Sequence, residues 1–194
     1  MLLNDLISFL KLTHKYNQTL RGIYVTGQDR KETDVEHSFQ LALFAWYICD
    51  YHKLKLDLGK VIKYALVHDL AEVFTGDKHI FDARGRRNKE HQEQKAFAKI
   101  QKMFPKWKGY KEAVKAYIQL VDEEARFVNA LDKLLPVMNI YLDKGKTWKE
   151  EDTSYQTIYE NKIKKVALHP QVEKIYLLLD KKLKTQKVKL FGKL

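Results

Sequence analysis

Cysteine and proline are nearly missing from this 194-residue chain, which has one of the first, three of the second and eight glycines. A single cysteine, Cys49, excludes an intrachain disulfide framework and points to a reducing compartment. Within the apolar stretch it borders, over residues 41–48, it reads as a small core residue. So few helix breakers, with 45% hydrophobic residues, exclude a disordered or low-complexity chain and give one domain over residues 1–194 enough material for a core. No apolar run reaches the length of a membrane span, because Lys, Asp or His interrupts each one. The start, Met1-Leu-Leu-Asn-Asp5, lacks a basic segment and a cleavage site. A soluble, cytoplasmic protein without membrane contact is the expectation.

Acid is the scarce charge: 25 Asp and Glu against 36 Lys and Arg, a net charge of +11. That balance favours anionic partners, nucleotides or nucleic acid. Many of the lysines crowd residues 181–189, which read as a solvated helix end and a frayed basic tail over 185–194. Neither an aromatic-rich strand nor zinc-finger spacing supports a nucleic-acid contact.

What is abundant is helical periodicity. Leu2, Leu3, Leu6, Ile7, Leu10 and Thr13 give an amphipathic helix over about 2–15. Residues 35–52 are apolar almost all round, the mark of a central helix. Asp57 caps a third that the pattern carries to about Leu70. Further helices are predicted over about 89–104, 109–121, 123–143, 154–167 and 170–184, with breaks at Pro105 and Gly145 and Pro170 in a first turn. Residues 20–33 read as a loop punctuated by Gly22 and Gly27, and 73–88 as a long charged connection. Strand-like alternation is nearly absent, so the predicted fold is an all-α, compact single-domain bundle.

Ionisable groups intrude on the apolar helices at three places. Glu36-His37-Ser38 opens the second helix. His68-Asp69 ends the apolar run of Tyr64-Ala-Leu-Val-His-Asp-Leu-Ala-Glu-Val-Phe-Thr-Gly-Asp77. Asp132 interrupts Phe127-Val-Asn-Ala-Leu-Asp-Lys-Leu-Leu135. Apolar helices accept such groups when they are paired or bound to a metal. Singly, each has an ordinary explanation: a hydrogen-bonded core histidine, or an aspartate paired with Lys133 or Arg126. Two His and two Asp together form a mixed N/O set suited to one divalent ion (Mn, Co, Fe, Mg or Zn) rather than a closed Cys-rich structural zinc site. Glu72, one turn beyond His68, is then placed to act on a water at that ion.

In this order, His37, His68-Asp69 and Asp132 resemble the H…HD…D pattern of the HD superfamily of metal-dependent phosphohydrolases. Arg30-Lys-Glu-Thr-Asp-Val-Glu-His-Ser38 and His68-Asp-Leu-Ala-Glu72 with Thr75-Gly-Asp77 resemble motifs of its small all-helical 5′-deoxynucleotidase branch, over roughly residues 20–140. The resemblance implies a helical HD domain that holds one metal on His37, His68, Asp69 and Asp132 and hydrolyses nucleoside 5′-monophosphates. It implies catalytic roles for Glu72 and Asp77, and substrate-phosphate contacts for Arg21 and Arg30. Arg30 has a second reading, pairing with Glu32 or Glu36. Lys133 is a further phosphate candidate, or the salt-bridge partner of Asp69 or Glu72. Lys78, with His79, Arg84, Arg86 and Arg87, is either a hold on further phosphates or a solvated basic face. Related HD enzymes cleave cyclic or polyphosphorylated nucleotides, and a non-catalytic nucleotide- or RNA-binding HD module is the competing class. The branch carries a tryptophan beside the loop arginine; here Gly22 follows Arg21, so deoxyribose selectivity is open, and Tyr24 nearby is either a residue that stacks on a base or blocks a hydroxyl, or an ordinary loop aromatic. A homodimer, as in resembling enzymes, would use the apolar first helix. His14, His52, His91 and His169 have no ligand-like company and read as surface residues.

Overall fold

Helix α7, Glu123–Leu142, is the axis of the molecule, with Phe127, Val128, Leu131 and Leu134 fully buried. The computed structural model describes residues 3–77 and 89–192. In chain order the other elements are α1 Leu3–Tyr16, β1 Leu20–Tyr24, β2 Lys31–Thr33, α2 Asp34–His52, α3 Leu58–Val67 and α4 Glu72–Thr75. After residue 88 come α5 Lys89–Met103, α6 Lys108–Ile118, α8 Lys146–Glu150, α9 Tyr155–Val166, α10 Pro170–Thr185 and α11 Lys187–Phe191. Helices α2, α3, α6, α9 and α10 pack on α7, and α2 lies along α3. The predicted all-α bundle is therefore the fold. Among the described residues, no helix is long and apolar enough to cross a membrane.

Local chemistry sets the boundaries. Thr33 caps α2 in a full capping box: its hydroxyl accepts from Glu36 N while Glu36 accepts from Thr33 N. Asp57 and Asp122 accept from the amides three residues on and start α3 and α7. Pro136 lies inside α7. It has no N–H to give the carbonyl four residues back, which is that of Asp132.

Four readings are corrected. Residues 20–33 are not a plain loop: β1 and β2 pair antiparallel, Leu20 with Thr33 and Tyr24 with Lys31, around Gly27 at φ 77°. Strands of five and three residues with an irregular register carry too little alternation to announce themselves. The third helix stops at Val67; His68–Ala71 form turns, and Glu72 opens the one-turn α4 instead of continuing the helix of His68. The basic tail is not frayed through its length, because α11 buries Leu190 and Phe191, the latter stacked on Trp148 with ring centroids 4.6 Å apart. Lysines dominate its composition, but its apolar residues still find a groove. His169 is buried, not superficial. It precedes α10, packs edge-on to Phe127 and stands 3.6 Å from Glu123. His14, His52 and His91 are exposed, as read.

Candidate metal centre

His37 comes from the first turns of α2, His68 and Asp69 from the turn after α3, and Asp132 from the middle of α7. Packing α2 and α3 on α7 brings one donor atom from each within 4.8 Å of the others. His37 Nε2 is 2.9 Å from Asp132 Oδ1; His68 Nε2 is 3.0 Å from Asp69 Oδ2 and 3.6 Å from Asp132 Oδ1. Two ligands of one ion with bonds of about 2.2 Å are at most ~4.4 Å apart, and these three separations lie within that limit.

Tautomer geometry agrees. His68 Nδ1 lies 2.9 Å from the Ala65 carbonyl, an acceptor only, so this nitrogen carries the proton and Nε2 turns its lone pair inward. That Nε2 is buried without a well-aligned hydrogen bond. His37 Nδ1 faces Glu32 Oε2 at 3.9 Å. Both rings are sealed from solvent; the side chain of Asp69 keeps 20% of its exposure, leaving one open flank.

The charge balance asks for a cation. Glu32, Asp34, Asp69, Glu72 and Asp132 converge here, and Arg21 and Lys133 approach them. Burial pushes both Glu32 and Asp34 up to about 7 despite Arg21. Burial alone would also raise Asp69 and Asp132, yet both sit well below the usual carboxylate range. Asp69 is held there by His68 and Arg21, and Asp132 by Lys133 and the two histidines. Burial and the Arg21 charge depress His37 to about 4. For His68 burial also lowers the value, but Asp69 and Asp132 override it and push it up to about 10. His68 thus faces an excess of negative charge that a bound cation would balance.

The other expected residues fall around this cluster. Glu72 is 3% exposed and lines a cavity of about 200 Å³ with His68, Asp69, Asp132 and Lys133. Lys133 Nζ pairs with Asp132 Oδ2 at 2.6 Å. Arg21, on β1, donates to Asp69 Oδ2 at 2.8 Å and to Asp34 Oδ1 at 3.2 Å. Asp77 is half-buried, and its charge acts on Arg21, Glu32 and Asp34, which puts it on the Arg21 side. Arg30 is turned elsewhere: it forms a two-pronged pair with Glu36 at 2.9 and 2.5 Å, half-exposed. Tyr24 lies under the ammonium groups of Lys31 and Lys146 at 3.5 and 3.9 Å from its ring centre, and clips the hairpin to α8. Lys78, His79, Arg84, Arg86 and Arg87 lie outside the described residues.

Sequence reasoning missed Asp34, Glu32 and the wall of the cavity. Asp34 follows an N-cap threonine and looked like an ordinary first-turn acid; only its 0% exposure sets it apart. Phe97, Tyr110 and Tyr117 lie on helices predicted from the sequence without singling out these residues, and they line the cavity. The ring of Tyr117 lies 5.7 Å from that of His68.

Comparisons place this geometry among known proteins. The 5′-deoxynucleotidase HDDC2 of Bos taurus and that of Homo sapiens are each 29% identical over 132 residues, 66% of this chain and 63% of theirs. The chain thus spans under two thirds of the length of these curated relatives. A crystal structure of a predicted metal-dependent phosphohydrolase from Magnetospirillum magnetotacticum superposes with a TM-score of 0.82 at 26% identity, covering 95% of this chain and 96% of that one. The PH0347 protein of Pyrococcus horikoshii shares the fold, with a TM-score of 0.65 at 22% identity over 90% of this chain and 96% of its own. The HD domain family model matches residues 13–175, nearly the whole helical body, and the chain belongs to the HD domain family.

Proposed function

We propose that this protein is a metal-dependent phosphohydrolase that releases phosphate from nucleoside 5′-monophosphates. The observation that carries the reading is the four-donor cluster with the buried Glu72 at one cavity wall and the Arg21 guanidinium at 2.8 Å from Asp69. His37, His68, Asp69 and Asp132 would hold the ion, which when bound supplies a Lewis acid and lowers the pKa of a coordinated water. Glu72 accepts the proton of the attacking water. Arg21 binds a phosphate oxygen through its planar guanidinium, and Lys133, on the cavity wall, adds a second positive charge. Asp77, on the Arg21 side, orients the substrate or returns a proton to the leaving nucleoside oxygen. The apolar and aromatic wall of Phe97, Tyr110 and Tyr117 suits the nucleoside.

The substrate class rests on the deoxynucleotidase relatives at 29% identity, and Gly22 leaves the choice of sugar open. The test is phosphate release from a panel of deoxy- and ribonucleoside 5′-monophosphates in Mn²⁺ or Co²⁺, with His68→Ala and Glu72→Ala alongside. Turnover lost in both variants is the expected result. No release from monophosphates, or from cyclic and polyphosphorylated nucleotides, sinks the proposal and favours a binding module.

A further inference from the structure

Asp69 is shared between two groups of donors. One is the His37, His68, Asp69, Asp132 cluster; the other is Asp34, Asp69 and Glu72, whose oxygens also come within 4.8 Å of one another. A carboxylate common to two such groups is how a two-ion phosphate-cleaving centre is built, with ions about 3.5–4 Å apart flanking the phosphate. Here the second position already holds a cation from the chain itself. Arg21 Nη1 sits 2.8 Å from Asp69 Oδ2 and 3.2 Å from Asp34 Oδ1, and Arg21 Nε lies 3.5 Å from Glu32 Oε2.

The clamp on this arginine is unusual in its burial. Asp34 is 0% exposed at the first position of α2, its backbone N–H fixed to the Thr19 carbonyl at 3.0 Å and its second oxygen, Oδ2, without a hydrogen-bond partner. Glu32 is 5% exposed on β2, facing the same guanidinium. A buried carboxylate pair of this kind is retained at a cost unless a fixed positive charge compensates it. The hairpin carrying Arg21 is anchored at its far end, where Gly27 N donates to Asp143 Oδ1 at 3.0 Å and Lys146 pairs with Asp29 at 2.6 Å. The guanidinium is therefore delivered by a braced arm into a socket of acids.

We propose that Arg21, clamped by Asp34, is the second cation of the centre: it fills the position a second metal ion would take on Asp34, Asp69 and Glu72, and keeps the site at one metal per chain. Asp34 is a positioning residue, acting on the reaction only through Arg21. An arginine in that place stays charged at every working pH and cannot be removed by a chelator. Its planar donors also fix the direction from which phosphate enters, which a second ion would not. This inference rests on the metal-dependent reading above.

The experiment counts manganese. Wild-type protein loaded with Mn²⁺ and desalted binds one ion per chain, with an uncoupled electron paramagnetic resonance spectrum. Arg21→Ala frees the socket and takes up two ions, whose spectrum shows exchange coupling through Asp69. Arg21→Ala with Asp34→Asn loses one of the three carboxylates of that position and returns to one. Arg21→Gln, which keeps the bulk and a donor to Asp34 without the charge, carries the same count should the alanine variant not fold. Asp34→Asn alone keeps one ion and raises KM for the nucleotide about tenfold or more by freeing the guanidinium, and Asp34→Glu restores part of that loss. Two ions on the wild type, or one on wild type and both Arg21 variants alike, overturns the inference. A wild type that binds no Mn²⁺ at all would instead overturn the metal-dependent function, so the two failures are distinct.

Discussion

Pro136 stands one helical turn beyond Asp132 and withholds the amide hydrogen that would otherwise bond the Asp132 carbonyl. The proposed metal-ligand position of α7 therefore lies at the one point where the ladder of that helix is opened by covalent structure. Pro136→Ala restores the missing bond. It should raise stability by about 1–3 kcal/mol while turning Asp132 and lowering metal affinity about tenfold. Urea unfolding and a Mn²⁺ titration on the same variant check both halves. A gain in stability with unchanged affinity would show that the break has no bearing on the site.

Holding the ion and using it are assigned to different residues. His37→Ala and Asp132→Asn should weaken metal binding at least about 100-fold and abolish phosphate release. Glu72→Gln should bind metal within a few-fold of wild type and lose about 10²–10⁴ in kcat. Metal titration beside phosphate release separates the two. Loss of metal in Glu72→Gln would make Glu72 a ligand.

Removing the ion should leave the bundle standing. Leu41, Val61, Phe127, Leu131, Leu134 and Tyr176 belong to one continuous buried hydrophobic core. A chelator is expected to lower Tm by several degrees, consistent with ligand linkage, with the helical circular dichroism kept at 25 °C. Collapse of that signal on chelation would mean a structural metal.

Lys162 is buried, and among the described residues no carboxylate forms a salt bridge with it. It lies on the buried stripe of α9 with Ile158 and Val166. Burial and the like charge of Lys133 hold it down to about 7; Asp132 opposes this, and Lys165 and Arg21 add to it. Its unfolded value is about 10.4, so between pH 7 and ~10 the unfolded chain binds a proton that the folded chain does not. The contribution of this group to stability rises with pH across that window and is lowest below pH 7. Lys162→Met should therefore stabilise the fold by about 1–3 kcal/mol at neutral pH, with the gain shrinking toward pH 10. Denaturation at pH 6.5, 8 and 9.5 tests it, and a wild type and variant that stay parallel over the series would refute it.

Gly145 has φ 76°, and a Cβ there would overlap the backbone carbonyl of Leu190. Gly145→Ala should cost about 2–4 kcal/mol, combining left-handed strain with the displacement of α11. A thermal melt reads the loss, and a Tm within two degrees of wild type would show that α11 yields freely.

Sequence by itself determined the helical architecture and the residue types at its centre. Apolar stripes at helical spacing name the buried faces without any knowledge of neighbours, because one face of each helix must leave water. His37, His68, Asp69 and Asp132 were conspicuous for the complementary reason, being charged or basic groups where the pattern demands apolar ones. Tertiary structure alone decided what reads across elements. Arg21 and Asp69 are separated by 48 positions, yet one is the other's hydrogen-bond partner. Asp34 looks like any first-turn acid until β1 is folded against α2. The hairpin is anchored by Gly27 N on Asp143 Oδ1, and the chain end docks by Phe191 stacking on Trp148, both contacts between segments distant in the chain. Local periodicity records which face of a segment is buried; it does not record which charge is waiting there.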